Sequence, residues 1–503
     1  MSSSNLTTWL PDLVYTDGRF DSRLALVCDD TIAQLVAADE VENVIRLTGR
    51  ALLPGLINAH SHAFQRVIRG RTEYRTANNK DSFWTWREMM YSAAVRLTPE
   101  DVYDASRMAF LEMALCGITA VGEFHYLHRA PDGSAYDDPN LIAKQVVRAA
   151  SDVGLRIALL RVAYARSGYE TEVSPQQIRF IENDPETYLK NVGQLIADLE
   201  RGSAPTGMEA CSDSSGVIPN GRASADAWVG IAPHSVRAVP LNYLKEIVDF
   251  ANQQRLPVHM HVAEQPAEVS ACIEEYGRSP VALLATEGLL GGRFTAVHTI
   301  HVTPKAVHML AEASAMVCAC PTTERNLGDG IVPVDDFFKQ GVRVALGSDS
   351  HVEIDLLEDA RELEYHLRLR RMERAVLAPD GSPTAREDLS ASELDGAVLN
   401  THASALAARL FACATMSGAE SIGAPGGALE PGRAADFFTV DLDDPSIAGA
   451  SPDDLLSSIV FSLSKTAVRD VVVGGKRIVA DGRHARQEEI VERFKALQKK
   501  LWG

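Results

Sequence analysis

The chain has 503 residues, of which 46% are hydrophobic and 23% charged, with 35 glycines and 23 prolines. This is an ordinary globular composition, and it excludes intrinsic disorder and collagen-like structure. Lys and Arg total 49 against 68 Asp and Glu, a formal net charge of −19, so the surface repels nucleic acids and anionic membranes. A prior of one domain per ~150 residues predicts about three units, unless one large α/β barrel takes most of the chain.

Residues 1–5 carry no basic segment leading into an apolar core, and no run of about 18 apolar residues occurs anywhere. Neither a secretory signal nor a membrane span is expected, and the chain reads as cytoplasmic. The seven cysteines (28, 116, 211, 272, 318, 320 and 413) are odd in number and scattered, which is not a disulfide framework. Cys318 and Cys320 sit in an apolar run and read as buried strand thiols.

From about 12 to 44 the pattern is of short β-like runs. From 52 onward, eight apolar runs alternate with helical stretches: 52–58, 118–123, 156–162, 228–233, 257–263, 295–302, 315–320 and 342–347. Continuous apolar strands separated by helices imply a parallel sheet covered on both faces, and eight units imply a closed (β/α)8 barrel of the TIM type. The helix signals agree with this. Thr98-Pro99-Glu100-Asp101 supplies an N-cap, a proline at the first helical position and an acidic first turn, and Gly117 stops the helix. Residues 201–225 form a Gly/Ser/Pro-rich stretch read as a surface insertion. After about 428 the chain returns to strands, with a Gly474-Gly475 hairpin turn, and ends in an amphipathic helix. The expected organisation is a small β-sandwich from 1–51 and 428–485, a catalytic barrel over 52–427 and a terminal helix over 486–503.

Twelve of the 14 histidines lie between 60 and 366, and several fall at predicted strand ends. The C-terminal strand ends form the active-site face of a barrel. His60-Ser61-His62 follows the first run, His259-Met260-His261 with Glu264 the fifth, His298 and His301 the sixth, and Asp349 the eighth. Alternate strand residues share a face, so an H-x-H pair presents both imidazoles together. Neutral imidazoles with a carboxylate suit Zn²⁺ or Fe²⁺.

These residues, together with Pro54-Gly55-Leu56-Ile57-Asn58 and the flanking strings Gly432-Arg433-Ala434-Ala435-Asp436-Phe437 and Val471-Val472-Val473-Gly474-Gly475-Lys476, resemble the amidohydrolase superfamily over nearly the whole chain. Five finer strings resemble one subgroup, the N-formimino-L-glutamate iminohydrolases. They are His60-Ser61-His62-Ala63-Phe64-Gln65-Arg66, Ser82-Phe83-Trp84-Thr85-Trp86-Arg87, Glu123-Phe124-His125-Tyr126, Ala232-Pro233-His234-Ser235-Val236-Arg237 and His261-Val262-Ala263-Glu264-Gln265.

The resemblance implies one divalent metal, Zn²⁺ first and Fe²⁺ as the alternative, held by His60, His62, His261 and Asp349. No lysine ends the fourth run to bridge a second ion, and Lys245 lies inside the next helical stretch. It also implies catalytic roles for Glu264, His298 and Asp349: Glu264 moves a proton from water to the leaving nitrogen, while His298 and Asp349 orient the water. Arg87 and Arg237 match positions that grip two carboxylates, and Gln65, Tyr126 and His234 match polar positions beside them. His259 reads as a packing residue, and roles for His125, His128 and His301 stay open.

The expected partner is a small dicarboxylate, with no nucleic acid and no membrane, in a homodimer. Two features depart from the subgroup, namely the 201–225 stretch and extra arginines in Arg161-Val162-Ala163-Tyr164-Ala165-Arg166. The competing readings are a deaminase of guanine or another aminated heterocycle, and a non-catalytic barrel scaffold.

Overall fold

The computed structural model describes residues 6–75, 82–203, 226–379 and 405–503. Most of the stretch expected to be an insertion, 204–225, lies outside the described residues.

Eight parallel strands form one sheet in chain order: Leu56–Ser61, Ile118–His125, Arg156–Ala163, Ala227–Pro233, Val258–Val262, Phe294–His298, Met316–Ala319 and Val344–Leu346. The first five are buried at nearly every residue, as a sheet covered on both faces requires. The barrel closes just past its last strand. His62 N–H donates to Asp349 O at 3.1 Å and Asp349 N–H to His60 O at 3.0 Å. Gly347 permits this approach, because a Cβ there would lie 2.7 Å from His60 Cβ and 2.8 Å from His60 O. Closure therefore brings the metal-ligand candidate from the last strand end against the pair from the first.

The run at 52–58 divides at Gly55. Its first part ends the strand Ile45–Pro54 of a different sheet, and the barrel begins at Leu56. The sixth strand stops at His298, short of the expected 302, because His298 and Thr299 take left-handed backbone angles of +68° and +57°. Residues with these angles cannot continue a strand.

Strands from both ends of the chain build the second unit, hydrogen-bonded as one nine-stranded mixed sheet. Ile45–Pro54 pairs in parallel with Thr7–Thr16 on one side and antiparallel with Phe437–Asp441 on the other. The join between N- and C-terminal segments is thus a ladder of main-chain hydrogen bonds. The sheet keeps its own core of Trp9, Val14, Leu26, Leu52, Phe437 and Val472, where Trp9 and Phe437 meet edge to face at 5.3 Å. Gly474 and Gly475, both at positive φ, turn the hairpin between Val468–Val473 and Lys476–Ala480.

The capping signal at Thr98 forms as a reciprocal pair: Thr98 Oγ1 accepts from Asp101 N–H, and Asp101 Oδ2 accepts from Thr98 N–H. The terminal helix Gln487–Trp502 buries Ile490, Phe494, Leu497 and Leu501. Ion pairs from Glu489 to Arg107 and from Lys500 to Asp101 tie it to the helix Pro99–Leu115. Cys318 and Cys320 are buried free thiols. Among the described residues no helix is long and apolar enough to cross a membrane.

Candidate active site

The strand ends bring His60, His62, His261 and Asp349 together, with one potential ligand atom from each lying within 4.8 Å of all the others. His60 Nε2 is 3.2 Å from both His62 Nε2 and His261 Nε2. Asp349 Oδ1 is 3.1 Å from His62 Nε2 and 3.4 Å from His60 Nε2. The opposite ring nitrogens settle the tautomers. His62 Nδ1–H donates to Phe124 O at 2.9 Å and His261 Nδ1–H to His234 O at 3.1 Å.

Their Nε2 atoms therefore carry lone pairs that face one another and His60. Such an arrangement favours a cation among them, and His60 Nδ1, buried without a partner, leaves His60 Nε2 free to join as a ligand. Tetrahedral ligands at ~2.0–2.2 Å from an ion stand roughly 3.3–3.5 Å apart, close to the spacing found here. Burial pushes the His60 imidazolium down to about 3 and also lowers His261, so both are neutral and ready to ligate. The donor set fits one divalent ion.

The turn carrying His60 and His62 is pinned by Glu123 from the second strand. Its carboxyl accepts from Ser61 Oγ–H at 2.5 Å and from Ala63 N–H at 2.7 Å, on either side of His62. Burial raises Glu123 to about 8 against these two bonds. Left-handed residues also mark the other strand ends, at Ala263 (+53°) and Asp349 (+44°) as well as His298. Each costs about 1–3 kcal/mol, which is typical of backbone held at a functional site.

Glu264 and His298 face the cluster. His298 Nε2 lies 3.8 Å from both Glu264 Oε1 and Asp349 Oδ2, and its Nδ1–H donates to Glu324 Oε1 at 3.2 Å. Burial alone would lower His298, but the carboxylates of Glu264, Glu324 and Asp349 override it and hold the imidazole well above its ordinary range. Glu264 is raised to about 7, chiefly by burial, with Asp349 adding to the shift and His298 opposing it. A carboxyl at that value exchanges protons near neutrality, as a general acid–base group must.

These groups open on a cavity also lined by Gln65, Arg87, Tyr126, His234 and Arg237. The structure thus brings every expected site residue except the fully buried His60 onto one cavity wall, with His60 directly behind. Gln65 Nε2 donates to Tyr126 Oη at 2.8 Å, while Gln65 Oε1 is buried without a partner. Arg87 stacks on Trp84, 4.4 Å from guanidinium carbon to ring centre, and its buried Nε has no acceptor. Among the described residues, neither Arg87 nor Arg237 has a carboxylate within ion-pair distance. The arginines that depart from the subgroup pattern differ: Arg161 pairs with Glu182 and Arg166 with Glu275.

Other histidines point elsewhere. His259 Nε2 meets Ser421 O, His125 Nε2 meets Leu127 O, His128 Nε2 meets Val162 O and His301 Nε2 meets Asp329 O. In the sequence, Glu123 and Tyr164 have places in the quoted strings but no role, and neither Glu324 nor Tyr91 is singled out. Tyr164 follows the third strand and Tyr91 lies four residues after Arg87 on one helix, so the strand-end and helical-spacing rules could have found both.

The comparisons with known proteins agree with this geometry. The amidohydrolase family model matches residues 51–478. The chain is 37% identical to the formimidoylglutamate deiminase of Pseudomonas aeruginosa over 473 residues, covering 94% of each chain. Among solved structures, an amidohydrolase from Brucella melitensis superposes with a TM-score of 0.83 at 30% identity, covering 99% of this chain and 100% of that one. An adenosine deaminase from Xanthomonas campestris with bound zinc shares the fold, with a TM-score of 0.75 at 20% identity over 98% of each chain. With its barrel, its strand-end His₃Asp cluster and a family match over most of its length, this chain belongs to the amidohydrolase family.

Proposed function

We propose that the protein hydrolyses N-formimino-L-glutamate to N-formyl-L-glutamate and ammonia, using one divalent ion per subunit, Zn²⁺. The observation that carries this reading is the pair Arg87 and Arg237. Two guanidinium groups line the cavity beside the His₃Asp cluster, and among the described residues neither lies within ion-pair distance of a carboxylate. A ligand with two carboxylates supplies what both lack. The 37% identity to a formimidoylglutamate deiminase supports the same substrate.

His60, His62, His261 and Asp349 would hold the ion. When bound, it supplies Lewis acidity that lowers the pKa of water toward ~7. The chain's own residues do the rest. Glu264 takes a proton from the attacking water as its oxygen bonds to the formimino carbon. It then delivers that proton to the terminal nitrogen. His298 Nε2 faces the same point and orients the water. Asp349 takes the remaining hydroxyl proton and hands it to the same nitrogen, so that the carbonyl forms as the C–N bond breaks and ammonia departs. Gln65 Oε1, an unpartnered acceptor, is available to an amidine N–H.

The ring-lined wall of Phe83, Trp86, Tyr126 and Phe180 also favours a second reading, deamination of a flat heterocycle such as guanine. A neutral base offers neither arginine a carboxylate to pair with, so we rank it second. Metal analysis with ammonia-release assays on N-formimino-L-glutamate, guanine and cytosine tests the choice. Turnover of guanine without turnover of formiminoglutamate would overturn the first reading. A homodimer belongs to this proposal by base rates and family resemblance, and light scattering checks it.

A further inference from the structure

Two tyrosines outside every motif lie on the cavity wall next to the unpaired arginines. Tyr91 is one helical turn beyond Arg87 on Phe83–Ala94, and Tyr164 is the first residue after the strand Arg156–Ala163. Both are buried, and they converge on a third buried side chain, Gln177, at the end of the short turn Pro175–Gln177. Gln177 Nε2 donates to Tyr91 Oη at 2.9 Å and to Tyr164 Oη at 2.6 Å.

An amide nitrogen donates and does not accept, so both phenol oxygens are acceptors in these contacts. Neither phenol proton is spent on Gln177. A bond between the two phenols uses one proton at most. At least one O–H therefore remains, and no carbonyl or carboxylate among the described residues takes it. Burial holds Tyr91 above the ordinary tyrosine range, so it stays a neutral donor at physiological pH. Arg237 lines the same cavity as both phenols, beside the pair.

We propose that Tyr91 and Tyr164, held as a pair by Gln177, are substrate-binding residues whose free hydroxyl donates to the carboxylate taken by Arg237. A carboxylate offers about four lone-pair sites; a guanidinium fork fills two, and a phenol fills a third. The pair then makes the site selective, because a substrate without that carboxylate leaves a buried hydroxyl unpaired. Gln177 is a positioning residue: it aims the phenols by occupying their oxygens. This inference rests on the dicarboxylate reading above, but it can be tested apart from the reaction.

The test uses the metal-loaded full chain and its Tyr91→Phe, Tyr164→Phe and doubly substituted variants, with calorimetric binding of glutarate and steady-state kinetics on N-formimino-L-glutamate. The double variant is expected to bind glutarate at least tenfold more weakly and to raise KM by a similar factor, with a much smaller change in kcat. Gln177→Met, which keeps the volume, should raise KM in the parent and have no further effect in the double variant. A purely structural role for Gln177 would instead add its loss in both backgrounds. Phe variants that bind glutarate as tightly as the parent overturn the inference. If the parent binds glutarate but releases no ammonia from formiminoglutamate, the substrate reading falls and the Phe variants still decide this one. If the parent does not bind glutarate in the millimolar range, both fall.

Discussion

The imidazole of His298 gives its Nδ1–H to Glu324 across 3.2 Å, and this contact decides which ring nitrogen faces the cavity. With Nδ1 committed, Nε2 is left toward Glu264 and Asp349. Glu324 is itself fixed, since its Oε1 also accepts from Cys320 N–H at 2.9 Å at the start of the helix Pro321–Leu327. Partners one step behind the reacting groups typically contribute 10–100-fold. Glu324→Ala should therefore lower kcat by about that factor with little change in KM. Glu324→Gln keeps an acceptor oxygen and should recover most of the loss. Steady-state kinetics on the two variants check this, and equal losses in both would remove the tautomer argument.

Glu264 must be ionised to take a proton from water, and its carboxyl is raised from 4.5 to about 7. The sign follows directly: kcat/KM should fall about tenfold per pH unit below that value and level off above it. Glu264→Gln cannot accept the proton, and a loss of roughly 10²–10⁴ is expected, with the acid limb gone from what remains. Glu264 is not among the four ligand candidates, so metal content should match the parent. A pH–rate profile paired with elemental analysis reads both. A variant that loses its metal would reassign Glu264 as a ligand.

Much of this site was legible because barrel chemistry is written at strand ends. His60, His62, His261, His298 and Asp349 each follow an apolar run, and parallel closure alone brings them together. What stayed hidden depends on long-range contact. Glu324 acts through a hydrogen bond to a residue 26 positions away, and Gln177 sits in an irregular excursion with no period to read. Leu52 to Pro54 looked like barrel because an apolar run carries no label for its sheet. Pairing with Phe437–Asp441, nearly 400 residues away, assigns those residues to the second unit.

The unpaired arginines make a prediction about specificity. A charge-assisted hydrogen bond contributes about 1.5–3 kcal/mol, so Arg237→Met should raise KM for N-formimino-L-glutamate by roughly 10–100-fold while kcat changes less. Arg87→Met should act in the same direction. A monocarboxylate analogue, 4-formimidoylaminobutyrate, should lose less than the dicarboxylate in one of the two variants, which identifies the arginine that serves the missing group. Unchanged KM in both would remove the carboxylate contacts.

Arg161 offers the opposite case, a buried guanidinium that already has its partner. Its nitrogens lie 2.5 Å and 2.9 Å from the two Glu182 oxygens, with side-chain exposures of 0% and 5%. Burial would raise Glu182, but Arg161 overrides it, and the carboxyl is held at about 2 against an ordinary 4.5. A depressed carboxyl favours the folded state above its unfolded value and loses that advantage as pH falls through its folded value. The contribution is therefore full above about 4.5 and disappears toward about 2. Glu182→Gln leaves Arg161 buried without a counter-charge, which should cost about 3–5 kcal/mol at neutral pH. Because Gln does not titrate, the stability gap between parent and variant should narrow steadily below about pH 4.5. Urea unfolding of both proteins at pH 7 and near pH 3 measures that gap. An equal gap at the two pH values would mean that the pair is held by packing and not by charge.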